Sequence, residues 1–278
     1  QFGIEHEMKV FFINLEAAKQ RRAFLEENFK RHAPADWRLE RFPALDTQVV
    51  AQRQILSPLR PTEVACALSH FALIRAQRAL TEPFLILEDD ALFGPHSCNT
   101  LQDSVEWLNR HEEWDILFPD LCIAQIGIMA DLLTLRRQFM QEGRTHLLNP
   151  RGWAFSSATS YILHPRAIPK ILSSEPRDWN VPYDLLLRNL VQSGRLHARC
   201  IFPFALSLEE TSNASTITPG EETRTGHIWY LFRRMIWRDG NYEPHLAEIE
   251  ALSQGLSAET WAYARLWAAM ADPSFVPK

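Results

Sequence analysis

Three consecutive acids, Glu88-Asp89-Asp90, follow the wholly apolar run Phe84-Leu85-Ile86-Leu87. In open α/β sheets, ligands bind beyond the carboxyl ends of strands. An apolar strand that runs straight into three carboxylates concentrates negative charge at such an edge. Like charges this close raise one another's pKa unless a cation neutralises them. A hard divalent ion meets that need. Mg²⁺ takes oxygen ligands, uses one or two carboxylates, and fills its other positions with phosphates and water. Such an ion can carry the charge of a departing diphosphate. The plain alternative is a solvated acidic turn that caps the next helix.

Two other stretches offer polar groups near that strand. Ser69 and His70 stand on a helix-prone segment shortly before it. His70 can donate to a phosphate or a sugar; the competing reading is a histidine satisfied inside the fold. Asn14 closes the first apolar run, Val10-Phe11-Phe12-Ile13, and Arg21 follows seven residues later. The end of a first strand commonly receives a nucleotide in such folds. Arg21 can pair with a phosphate or fix a loop carboxylate. The adjacent Arg22 shows that an ordinary surface arginine is the alternative.

These residues need a scaffold, and the periodicity supplies one. Residues 10–13 read as a buried parallel strand. Residues 17–31 read as a helix, with Phe24, Leu25, Asn28 and Phe29 at helical spacing. A second strand follows over 37–45, so the chain opens β-α-β. Residues 48–60 look polar and irregular, bracketed by Pro58 and Pro61. Thr62 is a candidate N-cap for a helix over 63–80, which Pro83 separates from the acidic strand. Further on, 99–110 reads as helix and 115–118 as strand, whereas 121–153 gives no clear pattern. Residues 161–163 resemble a strand, and 167–172 a short helix interrupted at Pro169. Residues 184–191 should be helical and end at Gly194, with a last strand over 199–206. Alternation of this kind predicts an α/β sheet with helices on both faces.

Composition narrows the classes. The 278-residue chain is 46% hydrophobic and 23% charged, the balance of a globular protein rather than a disordered one. A net charge of −5 argues against nucleic acid as a partner. Cys66, Cys98, Cys122 and Cys200 form no C-x-x-C pair, which argues against a zinc site and favours a reducing compartment. No apolar run reaches 18 residues, and no signal peptide is visible, so a cytoplasmic protein is expected. Residues 1–7 are set aside from the fold argument.

Taken together, VFFINLEAAKQRR at the start, then RFPALD, TEVACALSHFALI and FLILEDDAL resemble glycosyltransferase family 25. That family is the lipopolysaccharide-biosynthesis type, which also includes collagen galactosyltransferases. Weaker matches follow in SSATSYILHPRAIPKIL, VPYDLLLRNL and the segment ending Asn213-Ala214-Ser215-Thr216-Ile217. The resemblance covers roughly residues 8–217, and it is the combination that is specific.

The resemblance implies a GT-A-like, Rossmann-type mixed sheet over residues 8–220. It implies inverting transfer from a UDP-sugar, galactose favoured, to a glycan or lipid-linked glycan acceptor in bacterial lipopolysaccharide or lipooligosaccharide synthesis. Mn²⁺ or Mg²⁺ would sit at Asp90 first, with Glu88, and Asp89 beside the donor. Asn14 and Arg21 match the family's first-strand motif; Glu63, Ser69 and His70 match its helix motif. Asp184 matches the carboxylate of the P-x-D segment. It is the candidate base, with capping of its own helix as the alternative; Glu209 and Glu210 are the fallback. The chain departs from the family at Ser157-Ala158-Thr159-Ser160-Tyr161, where Gly-Thr is usual, and in the missing Leu-Gly after the Trp-Asp strand.

Residues 221–278 lie beyond the resemblance and read as a helical extension. Residues 227–238 are aromatic and basic. They suit either an interfacial helix, with the protein peripheral at the inner membrane, or a helix packed on the domain. Two competing functions remain at this point. One is another metal-dependent, nucleotidyl-handling enzyme; the other is a non-catalytic carbohydrate-binding protein on the same fold. The absence of G-x-x-x-x-G-K-[ST] and G-x-G-x-x-G removes the common ATP and dinucleotide binders.

Overall fold

The computed structural model describes residues 8–209, apart from several positions between 124 and 141, together with residues 233–240. The chain opens with β1 (Lys9–Asn14), α1 (Lys19–His32), β2 (Arg38–Pro43), α2 (Thr47–Gln52) and α3 (Pro61–Ala76). It continues through β3 (Phe84–Glu88), β4 (Ala91–Leu92), α4 (Ser97–His111), β5 (Ile116–Phe118) and β6 (Cys122–Ile123). Then come β7 (His146–Leu148), β8 (Phe155–Ser156), β9 (Ser160–Leu163) and α5 (Ala167–Leu172). The described elements end with α6 (Tyr183–Gln192), β10 (Ala198–Phe202) and β11 (Ser207–Leu208).

Seven strands form one mixed sheet in the order β2-β1-β3-β9-β5-β10-β7. β1 runs parallel to both β2 and β3, and β5 runs parallel to β10. β9 is antiparallel to β3 and β5, so its first residues reach the edge where those two strands end. Strand side chains alternate between faces, and the two cores follow that period. Phe11, Ile13, Phe84 and Ile86 pack with α3, α5 and α6 on one face. Val10, Phe12, Leu85 and Leu87 pack with α1 and α4 on the other. The expected α/β architecture, with helices on both faces, is therefore the one observed.

Several local expectations need correction. The stretch taken as irregular contains α2, because the Asp46 carboxylate accepts the N–H groups of Gln48 and Val49. α3 starts at Pro61 rather than after Thr62; proline suits a first helical position, where no N–H partner exists. Pro169 does not interrupt α5 for the same reason: it lies in the first turn. The last strand stops at Phe202, and Ser207–Leu208 pairs instead with β4. Phe24 points outward, 38% exposed, rather than into the core. α6 ends as anticipated, with Gly194 at φ +77° just beyond it.

Asn28 shares the buried face of α1 with Leu25 and Phe29, and its side chain explains why a polar residue sits there. Its Oδ1 accepts the Phe93 N–H at 2.8 Å and its Nδ2 donates to the Phe93 carbonyl at 3.1 Å. The amide thus ties α1 to the chain just after the acidic turn. Asn28→Ala leaves two buried backbone groups without partners, each costing about 1–3 kcal/mol. The expected result is a lower urea midpoint with an unchanged slope. An unchanged midpoint would show that this tie carries no stability.

Candidate functional site

β1 and β3 are paired with Ile13 opposite Glu88, so Asn14 and Asp89 come next to one another one residue further on. Asn14 is buried and its amide is oriented by its neighbours. Arg41 Nε donates to Oδ1 at 2.9 Å, which leaves Nδ2 to donate to Asp89 Oδ2 at 2.7 Å. From α1, Arg21 Nη2 reaches Asp89 Oδ1 at 2.7 Å and Asp90 Oδ2 at 3.3 Å. Both Asp89 oxygens are therefore engaged within the protein. Burial still holds the Asp89 carboxyl above its ordinary value, against the pull of Arg21 and Asn14.

Asp90 differs. Its Oδ1 is buried and has no hydrogen-bond partner. Burial first, and then the charge of Glu88, push its pKa up to about 7 despite Arg21. A buried acceptor without a partner is costly, and a hard cation is the group that would satisfy it. The residues present fit a divalent ion held by Asp90 with Glu88, while Asp89 is committed to the scaffold. The backbone of the turn is pinned as well, because the Glu209 N–H donates to the Asp90 carbonyl at 2.8 Å. Glu210 lies outside the described residues.

Glu88 ends a buried chain of polar groups. Its Oε1 lies 3.3 Å from His70 Nε2, and His70 Nδ1 lies 2.8 Å from the Tyr161 hydroxyl, which lies 3.0 Å from that of Tyr183. A carboxylate only accepts, so the proton in the first contact belongs to Nε2, and a ring carrying that proton alone accepts at Nδ1 from Tyr161. The His70 ring stacks on Tyr183 at 4.2 Å, which fixes its plane. Burial opposes ionisation of Glu88, yet the His70 hydrogen bond, with Arg21 and Arg233, takes its pKa below the usual value. Cys66, one helical turn before His70, contacts the same oxygen with Sγ at 3.8 Å.

Two cavities meet at this turn. The smaller, of about 290 Å³, is walled by Ile13, Leu15, Arg21, Leu45, Ser69 and His70, among others. The larger, of about 540 Å³, is walled by Glu63, Ser157, Thr159, Asp184 and Arg233, among others. Cys66, Glu88 and Asp90 line both. The acidic turn is thus a shared partition, open to a ligand on each side.

The residues singled out from sequence divide accordingly. Arg21, Asp89, Ser69 and His70 border the smaller cavity, Glu63 and Asp184 the larger. Asn14 borders neither and acts through Asp89. Ser69 is a tether: its hydroxyl accepts the Leu45 N–H at 2.9 Å and donates to the Ala65 carbonyl at 2.7 Å. It thereby holds the loop after β2 as a wall. Glu63 accepts the Arg60 N–H at 2.9 Å, stabilising the start of α3. Asp184 accepts the N–H of Leu185 at 2.8 Å and that of Ser157 at 3.1 Å; it lies in the first turn of α6, whose N-cap is Pro182 with no side-chain cap, and it faces the cavity.

Arg233 was not anticipated. It is buried at the wall of the larger cavity, paired with Asp120 and donating to Ser157 Oγ at 3.0 Å. Ser157 itself stands at φ +97°, a conformation that costs energy for any residue with a side chain. Asp120 Oδ1 also accepts from Ser160 at 2.7 Å. No local sequence pattern announces this set, because its members come from distant segments. The neighbouring Met235, Ile236 and Trp237 are buried too, and Phe204 N–H donates to the Ile236 carbonyl at 3.1 Å. These side chains pack on the domain and are not free to enter a lipid surface; residues 227–232 lie outside the described residues. Among the described residues, no helix is long and apolar enough to cross a membrane.

The profile of glycosyltransferase family 25, described as a family of lipopolysaccharide-biosynthesis proteins, matches residues 7–187. No curated protein matches the chain. The matched span includes both cavity walls except β11 and Arg233.

The raised Asp90 pKa has a consequence for stability. The folded state binds this proton more tightly than the unfolded chain does. The resulting stabilisation is complete below about pH 4 and is lost as the pH rises through about 7. Asp90→Asn cannot ionise and escapes that loss. In chelator, the variant should melt above the parent at about pH 8, and the gap should close towards about pH 4. Identical melting at both pH values would mean that Arg21 compensates Asp90 in full.

Proposed function

The chain belongs to glycosyltransferase family 25, and from that premise we propose that it transfers a sugar, galactose by preference, from a UDP-sugar to a glycan hydroxyl with inversion. The family places the reaction in lipopolysaccharide biosynthesis, with a sugar donor and a glycan acceptor. The observation that carries the finer reading is the partition: two cavities that share Glu88 and Asp90. The smaller combines apolar walls at Ile13, Leu15 and Leu45 with the Arg21 guanidinium. That combination suits a nucleoside diphosphate, base against the apolar side and phosphates against the cation. The larger is lined by carboxylates and hydroxyls, partners for a sugar acceptor.

Mn²⁺ or Mg²⁺, held by Asp90 with Glu88, would neutralise the charge of the leaving diphosphate. The chain's own groups do the rest. Arg21 donates to phosphate oxygens. Asp184 takes the proton of the acceptor hydroxyl as that oxygen attacks the anomeric carbon opposite the diphosphate. The bond from the anomeric carbon to the diphosphate breaks, and UDP leaves with the electron pair. The N–H groups of Ser157 and Leu185 hold Asp184 in place for this role.

The test is a panel of UDP-sugars with a glycan acceptor, with released UDP and the acceptor's mass both measured, with and without Mn²⁺. Transfer from one donor, dependent on the ion, is the expected result. Release of UMP would indicate nucleotidyl chemistry, and metal-dependent UDP binding without transfer would indicate a binding protein. Asp184→Asn keeps the shape but removes the base, so kcat should fall about 10²-fold or more with donor KM nearly constant. Loss of donor affinity instead would move Asp184 into the donor-binding set.

A further inference from the structure

Cys66 and His70 are four residues apart on α3, so they project from the same helix face. Both meet the same Glu88 oxygen at the partition. The ligating atoms of Cys66, His70 and Glu88 all lie within 4.8 Å of one another. We propose that these three residues form a binding site for a thiophilic divalent ion of the Zn²⁺ class, which shares Glu88 with the carboxylate site at Asp90 and differs from it in donor chemistry.

The geometry supports this in numbers. Zinc bonded to sulfur, nitrogen and oxygen at its usual lengths, in a tetrahedron, sets ligand-to-ligand edges of roughly 3.3–3.6 Å. The His70 Nε2 to Glu88 Oε1 edge is 3.3 Å, and the Cys66 Sγ to Glu88 Oε1 edge is 3.8 Å. The third pair of ligand atoms, on Cys66 and His70, lies within 4.8 Å and must close on the ion by side-chain movement. Cys66 and Glu88 border both cavities and His70 borders the smaller one. An ion can therefore enter from a cavity, which leaves room for an exchangeable water as its fourth ligand, as in three-ligand zinc sites.

The tyrosine chain behind His70 makes the ligand set workable. A metal needs the lone pair of Nε2, so the ring proton must stand on Nδ1. The Tyr161 hydroxyl, 2.8 Å from Nδ1, can accept that proton's hydrogen bond and in turn donate to Tyr183 at 3.0 Å. The same three groups thus satisfy either tautomer of His70. The thiol gives up its proton to solvent when the ion binds. Donor softness separates the two sites: thiolate and imidazole select zinc-like ions, whereas Asp90 favours hard ones.

Co²⁺ is the probe, because its spectrum reports ligand type without any need for transferase activity. The whole chain, freed of metal by chelator, is titrated with CoCl₂ in the presence of excess Mg²⁺. One equivalent should produce a thiolate-to-cobalt band in the near ultraviolet and intense visible bands of a tetrahedral ion. Zn²⁺ should erase both. Cys66→Ser should lose the thiolate band, while Cys122→Ser, at the wall of the larger cavity, should keep it. A weak octahedral spectrum without the thiolate band would overturn the proposal, as would a band that survives in Cys66→Ser. Matching thermal melts of Cys66→Ser and the parent in chelator would exclude misfolding as the cause of a lost band. Failure here leaves the donor panel untouched, since that panel reads sugar transfer with Mn²⁺, which needs no thiolate at Cys66.

Discussion

Everything at this edge of the sheet depends on holding three consecutive carboxylates together in a largely desolvated turn. Burial disfavours the charged form of each, and adjacency makes each charge a burden on the next. The protein answers with different partners for each acid. Asp89 receives Arg21 and Asn14, Glu88 receives His70, and Asp90 shares Arg21 but keeps one oxygen unpartnered. That unequal distribution makes one residue of the run available to a ligand while its neighbours hold the turn in shape.

The surrounding elements can be understood as supports for that distribution. The parallel pairing of β1 with β3 puts Asn14 beside Asp89, and Arg41 on β2 then orients Asn14. Reversal of β9 brings Thr159 to Glu88, whose N–H donates to the Thr159 carbonyl at 2.8 Å. β11 ties the turn from the far side through Glu209 and β4. Five separate segments, counting Arg21 on α1 and His70 on α3, therefore converge on three residues, which is why the partition between the two cavities can be thin and still fixed.

The strand and its acids were legible because a fully apolar run followed by charge has few other meanings. β1, α1, α3 and β9 were legible for similar reasons of period and length. α2 was not, because six residues with one buried side chain, Val50, leave almost no apolar pattern; the Asp46 cap was its only signal. In sequence Asn14 and Ser69 read as donor-binding residues, and the contacts the structure gives them are to Asp89 and to the loop after β2. Both types hydrogen-bond ligands or backbone equally well, and only the pairing of β1 with β3 and the path of the loop after β2 decide between them. Arg233 was out of reach altogether, since its partner Asp120 stands 113 residues away. The Cys66-x-x-x-His70 spacing was present in the sequence, but a search for paired cysteines passes over it.

Arg21 has two tasks that compete. It is the main neutralising group for Asp89 and Asp90, and on the proposed reading it also faces the phosphates of the donor. Its contact with Asp89 is 2.7 Å and that with Asp90 is 3.3 Å, so Asp90 holds it less firmly. Its Nε is buried without a partner, which leaves the guanidinium with donor capacity to spare. On that reading an incoming phosphate competes first for the longer contact, with Asp90, and leaves the shorter one, with Asp89, in place. Asp90 would then lose part of its cationic compensation at the moment when the ligand brings more negative charge. A divalent ion at Asp90, as proposed, would resolve that imbalance, and this is the physical reason to expect donor and metal to bind together rather than independently.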